Sequence, residues 1–230
     1  MPRSKKTRTK YTEAAPPRHI RRLRQIRLEV AAEAARIIST EGQHNYHAAK
    51  KKAAERIGVS ERLALPSNIE VKEALHSYQG LYGGPAHTEN LEYLRETAIE
   101  AMQRLQSFTP RLVGSVLDGT ASSHSRIALH VFADSTELVI LYFLEHGQPF
   151  SEEQRQIRWF DGTHKTVPLI VFELNGASVE LTIFEPVHLR QAPPSPIDGK
   201  PQRRATLSET ECLLAESLPI AATEPGQQAP

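Results

Sequence analysis

Apolar residues at Ile20, Leu23, Ile26, Val30, Ala34 and Ile37 recur at three- and four-residue steps, the spacing of one helix face. Arg21, Arg22 and Arg24 lie off that stripe. The pattern predicts a helix from Arg18 that ends at Glu41-Gly42. Asn45 can cap a second helix over Tyr46–Ile57, which Gly58 stops. Pro66-Ser67-Asn68 starts a third, with Val71, Leu75 and Tyr78 on one side, closed by Gly80 and the Gly83-Gly84-Pro85 break. A fourth runs from about Thr88 to Phe108 on a stripe of Leu91, Leu94, Ala98, Met102 and Leu105.

Beyond Pro110 the period shortens. Arg111–Val116, Ile127–Ala133, Gln154–Phe160, Val167–Leu174 and Ala177–Phe184 read as strands, and Thr136–His146 as a helix ended by Gly147. Asn175-Gly176 joins the last two strands with a tight-turn pair that tolerates positive φ. Ser208-Glu209-Thr210-Glu211 has capping-box spacing and starts a short final helix near Cys212. The order gives an α+β chain: a helical domain over 18–108, then a mixed sheet of about five strands with flanking helices over 109–190. A loop and short helix follow over 191–218. Residues 1–17 and 219–230 read as disordered tails.

Composition changes this picture little. The chain has 230 residues, is 39% hydrophobic and contains 16 prolines, enough apolar surface for a core beside unstructured ends. Cys212 is the only cysteine, which excludes an intrachain disulfide and a multi-cysteine zinc site. The first ten residues are basic and lack the apolar stretch of a secretory signal, and no window approaches a membrane span. A cytoplasmic protein with no membrane partner is expected.

Charge changes it more. The formal net charge is +1, yet residues 1–60 hold 15 Lys or Arg against 5 Asp or Glu. Arg3, Lys5, Lys6, Arg8 and Lys10, then Arg18, Arg21, Arg22, Arg24 and Arg27, form a front end suited to nucleic-acid phosphates. Few aromatics accompany them, Tyr11 and Tyr46 being nearest, so base stacking has little support. The plain alternative is a solvated tail followed by an ordinary charged helix face.

The run Leu112-Val113-Gly114-Ser115-Val116-Leu117-Asp118-Gly119, with Ser125-Arg126-Ile127-Ala128-Leu129-His130-Val131 after it, resembles the signature of the nucleotidyltransferase superfamily, the DNA polymerase beta-like fold. There a strand ends in Gly-Ser, a turn carries a second Gly, and the next strand opens with Asp-x-Asp. Gly119 and Ser125 fall in register with that pattern. Arg126 and Ala128 stand where the two metal-binding aspartates belong. Nucleotidyl transfer needs divalent cations held by carboxylates, and residues i and i+2 of a strand reach one cluster together. The resemblance implies Glu180 as the third carboxylate, and one carboxylate cannot hold two Mg²⁺ ions. It further implies that Gly114 and Ser115 hold a triphosphate, and Arg126 is suited to replace missing cationic charge beside it.

The expectation is therefore a degenerate, non-catalytic nucleotidyltransferase-like protein that binds ATP, another nucleotide or nucleic acid. One alternative is an active transferase with an atypical set, Asp134 and Glu180 joined by His124 and His130, using Mg²⁺. In the plain reading His130 is a hydrogen-bonded sheet histidine and Asp134 a helix cap. A second alternative is a protein-interaction module. The front end, through Lys50-Lys51-Lys52-Ala53-Ala54 and Leu65-Pro66-Ser67-Asn68, is also similar to a set of uncharacterised bacterial proteins. The chain has no Gly-x-x-x-x-Gly-Lys-Ser/Thr loop and no Gly-x-Ser-x-Gly elbow. His44, His47, His76 and His87 lack metal-ligand spacing.

Overall fold

The computed structural model describes residues 18–43, 45–60 and 65–217. The two expected tails, the basic residues from Arg3 to Lys10, Tyr11 and His44 lie outside them. The helices α1 (Arg18–Glu41), α2 (Tyr46–Ile57), α3 (Asn68–Tyr82) and α4 (Gly84–Arg104) come first. Local chemistry sets their ends. The Asn45 side chain accepts from the His47 and Ala48 amides at the start of α2, and Ser67 and Glu70 form a reciprocal capping box on α3. Helix α4 begins at Gly84 rather than near Thr88, because Pro85 suits a first turn whose amides lack helical partners.

After a 3₁₀ turn at Gln106–Phe108, β1 (Arg111–Val113), α5 (Gly114–Asp118), β2 (Ile127–Phe132), α6 (Thr136–Glu145), β3 (Phe150–Arg158), β4 (His164–Leu174) and β5 (Ala177–Phe184) follow. A 3₁₀ turn at Pro186–Leu189 and α7 (Leu207–Ser217) end the described chain. The first strand is shorter than its apolar run suggests: Gly114 adopts φ +74°, and Val116 and Leu117 are buried from a helical turn instead. Strand β3 begins at Phe150, four residues earlier than expected. The cap of α7 is Thr206 with Glu209, not Ser208 with Glu211: the Thr206 amide and hydroxyl donate to the Glu209 carboxylate at 2.7 and 2.8 Å.

The strands form one mixed sheet in the order β1-β2-β5-β4-β3, confirming the α+β class. β2 and β5 run parallel and every other neighbouring pair is antiparallel. Strand alternation gives the sheet two unlike faces. Ile127, Leu129 and Val131 with Val179, Leu181 and Ile183 bury one face against Leu94, Ala98, Ala101 and Met102 of α4 and Val139 and Phe143 of α6. Each fully buried aliphatic side chain contributes about 1.5–3 kcal/mol, so this layer dominates the stability of the sheet. The other face carries Ala128, His130 and Phe132 beside Glu180, Thr182 and Phe184.

Helices α1 to α3 hold a separate core, Val30, Ala31, Ala34 and Ile37 against Ala49, Ala53, Ala54 and Val71. The many alanines let these helix backbones approach closely. By packing, the helices expected over 18–108 divide, since α4 contributes to the core under the sheet. Lys72 bridges Asp118 at 2.7 Å and the Gln79 amide donates to the Thr120 carbonyl at 3.0 Å, tying α3 to the α5 region. Only the second half of the α1 stripe is buried; Ile20 and Leu23 remain 46% and 40% exposed. No helix among the described residues is long and apolar enough to cross a membrane.

Candidate functional site

Val113, Ala128 and Glu180 stand side by side on three neighbouring strands, β1, β2 and β5. Directly after Val113, the left-handed Gly114 turns the chain into α5, with a Cβ-sized space before the Ala128 methyl. Ser115 sits in that first turn, and its carbonyl accepts from the Thr120 amide at 2.8 Å, closing the loop around Gly119. Arg126 precedes β2 by one residue, and alternation puts it on the side of Ala128. Gly114, Ser115, Arg126, Ala128 and Glu180 are therefore gathered at one end of the sheet. Register makes this grouping; spacing along the chain does not.

Glu180 is 5% exposed. Arg155, on β3, binds it at both oxygens: Nη1 to Oε1 at 2.6 Å and Nη2 to Oε2 at 2.8 Å. Arg126 approaches the same Oε2 at 3.5 Å and also donates to Glu153 at 3.3 and 3.4 Å. The Glu153 hydrogen bond raises the Arg126 pKa, burial opposes that rise, and the charges of Glu153 and Glu180 add to it. Two guanidiniums and two carboxylates thus form a neutral network at the sheet end. A buried carboxylate needs such compensation, and a two-point arginine contact supplies charge and hydrogen bonds together.

Mg²⁺ does not fit this arrangement. Both oxygens of Glu180 face Arg155, and the two flanking positions offer a guanidinium and a methyl group. Arg155 is the residue that the sequence does not announce. It lies in the run Ser151–Arg158 of an exposed strand, polar except for Ile157, where no motif marks it.

Asp134 does not join Glu180 and His130 in a second acid or metal site. Glu180 neighbours Ala128, whereas Asp134 lies beyond Phe132 and Phe184, four or more residues along the strands and about 13 Å or more away. Asp134 instead lines an open cleft of about 280 Å³ with Trp159, Lys165 and His188. It is also not the helix cap; that position is Ser135, whose side chain makes no capping bond to the backbone. His124 packs against the turn at Gly42. Among the described residues no three His, Cys, Asp or Glu side chains gather as a metal would require.

His130 is a hydrogen-bonded sheet histidine. It is 4% exposed, and its Nδ1 accepts from Arg204 Nε at 3.0 Å. Burial, then the nearby Arg204 and Arg155 charges, push its pKa down to about 3. Arg204, from the loop before α7, also donates to the His188 carbonyl at 2.7 Å and lies over the rings of Phe132 and Phe184 at 5.0 and 5.6 Å. Burial lowers the Arg204 pKa to about 10. This peg closes the second sheet face beside the Glu180 network. Its sequence context, a proline-rich connection, carries no sign of it.

On α1, Arg27 is committed to Glu70 at 2.8 Å. Arg18, Arg21, Arg22 and Arg24 are exposed on the part of α1 that precedes its core, and Arg18, Arg22 and Arg24 form no ion pair among the described residues. No family model matches the chain, and no curated protein matches it.

Proposed function

We propose that this chain is a degenerate nucleotidyltransferase-like protein that binds the phosphates of a nucleotide without transferring them. The observation that carries this reading is the pairing of Glu180 with Arg155 and Arg126 where a transferase would gather carboxylates around metal. Guanidinium groups attract phosphate oxygens by charge and by paired N–H donors, without a cation. In this reading the Gly114-Ser115 turn and Arg126 hold the phosphates, and Glu153 is the counterion that the ligand displaces from Arg126. The half-exposed guanidinium of Arg126 is accessible for that exchange, whereas the buried Glu180 stays with Arg155.

Isothermal titration with ATP tests it, with and without Mg²⁺, alongside Ser115→Ala and Arg126→Ala. Metal-independent binding that both substitutions abolish is the expected result. Absence of heat with every nucleoside triphosphate removes the nucleotide reading, and Mg²⁺-dependent turnover removes the non-catalytic one.

A second reading, nucleic-acid binding, is favoured by the exposed Arg18, Arg22 and Arg24 on the projecting part of α1. Phosphate contacts of this kind position a partner without reading its sequence.

A further inference from the structure

The two edges of the sheet are treated differently. At one edge, β1 is closed by the chain itself, since Leu112 and Ala205 exchange backbone hydrogen bonds at 2.9 Å in both directions. At the other, β3 pairs with β4 without a bulge from Phe150↔Phe172 to Arg158↔His164 and has no strand on its outer side among the described residues. Alternate residues of those nine turn their backbone donors and acceptors outward, and most of the strand's side chains are exposed. Edge strands of this length are covered, broken, charged or paired in stable proteins, and the charges that β3 carries, Glu152, Glu153, Arg155 and Arg158, are of both signs.

We propose that β3 pairs antiparallel with β3 of a second copy, in the register that sets Gln154 opposite Gln154. A two-fold axis normal to the sheet keeps like faces together, so allowed registers step by two residues. The Gln154-centred register places Glu153 opposite Arg155 of the second copy, twice by symmetry. It also sets Glu152 opposite Gln156, Ser151 opposite Ile157 and Phe150 opposite Arg158. Sliding by one step either way brings Glu153 against Glu153 or Arg155 against Arg155. Opposite charges directly across a strand pair stabilise it and like charges oppose it. The slide that opposes the two Arg155 residues also sets Glu152 against Arg158 twice, and of these three registers the Gln154-centred one alone has opposite-charge pairs with no like pair.

Helix α6 supplies a second argument. Leu138, Leu141 and Leu144 are 47%, 51% and 63% exposed, an unusual load for one ten-residue helix. Tyr142 donates to the Arg104 carbonyl of α4 at 2.7 Å, which fixes one flank of α6 toward α4. Leu144, two residues on, lies on the opposite flank, and the adjacent Phe143 packs on Phe150 of β3 with ring centroids 5.4 Å apart. Extending the sheet across β3 brings the α6 helices of two copies toward each other over the same face, covering part of that leucine surface. The pairing also joins the two Glu180 networks, Arg126–Glu153 of one copy meeting Arg155–Glu180 of the other.

Sedimentation equilibrium and site-directed cross-linking of the full chain test this, with Cys212→Ser as the background. Gln154→Cys should form an intermolecular disulfide, because opposed residues have Cα atoms about 5 Å apart. Ile157→Cys should not, because in this register its two copies stand about 20 Å apart. Gln154 is exposed and Ile157 is half-buried against the Trp159 cluster, so folding of each variant is checked by its circular dichroism. Glu153→Arg should raise the dimer dissociation constant about tenfold or more by opposing like charges at both symmetric pairs. A protein that stays monomeric at high micromolar concentration overturns the proposal. So does a dimer that cross-links at Ile157→Cys and not at Gln154→Cys.

Discussion

Arg155 and Glu180 meet through both ends of each group, at 2.6 and 2.8 Å, although they come from strands β3 and β5 separated in the sheet by β4. The contact spans that middle strand, and it converts the most buried carboxylate of the second face into half of an ion pair. Arg155→Ala should leave Glu180 with only the longer Arg126 contact. The expected loss is about 2–4 kcal/mol, held to the lower part of that range by the exposure of Arg155. Urea unfolding measures it, and adding Glu180→Gln to the same chain should return much of the loss, since the uncompensated charge is then gone. Arg126→Ala, at a half-exposed site, should cost less than about 1 kcal/mol.

His130 sets an acid limit on stability. Its folded pKa, about 3, lies below the unfolded value near 6.5, so the unfolded chain binds a proton there that the native chain refuses. The stabilisation is complete above pH 6.5 and is lost as pH falls toward 3. Between pH 6.5 and pH 5 the loss should approach 2 kcal/mol. His130→Asn keeps an acceptor for Arg204 and should flatten this part of the curve, as denaturant midpoints across pH 5–7 would reveal.

The hairpin between β4 and β5 depends on two consecutive residues in the left-handed region, Asn175 at φ 53° and Gly176 at φ 88°. Gly176→Ala should destabilise by about 1–2 kcal/mol, because a Cβ disfavours that conformation. A Cβ there would meet the Tyr93 hydroxyl at 3.6 Å, an ordinary contact, so the cost is conformational and Gly176→Asn should be milder than Gly176→Ala. Thermal unfolding of the two variants separates them.

Replacing Arg18, Arg22 and Arg24 together by alanine should leave unfolding midpoints within about 0.5 kcal/mol of the parent, as expected for exposed side chains away from any core. The same change should lower affinity for a duplex oligonucleotide and flatten its salt dependence by about 0.9 in the log–log slope for each phosphate contact removed. Fluorescence anisotropy at several salt concentrations reads both. Unchanged affinity and slope would end the nucleic-acid reading.

Local signals in the sequence predicted local structure well. Asn45 and Gly58 bound α2 at the expected residues, and Asn175-Gly176 makes the expected turn, because these side chains and backbones act on their immediate neighbours. Predictions failed where exposure or competition removed the signal. Strand β3 is polar on both sides, so only its later part alternates visibly, and two overlapping Ser/Thr-x-x-Glu patterns competed for the start of α7. No local pattern groups Gly114, Ser115, Arg126 and Glu180; strand register places them at one end of the sheet. Arg155 and Arg204 were not foreseeable. Each acts over a long sequence separation from a segment chosen by tertiary packing, and no short-range pattern encodes that.

Arg204 fastens the chain after β5 to His130 on the inner strand β2, while Ala205 beside it completes the edge at β1 and Leu213 of α7 packs on the core under the sheet. The sheet therefore has no natural cut point at its last strand. A fragment ending near residue 190 would have an uncapped β1 edge, an unshielded aromatic face and a missing roof helix. Residues 84–217 should melt as one cooperative block, with the carboxyl-terminal stretch acting as the keystone that holds the strands in place.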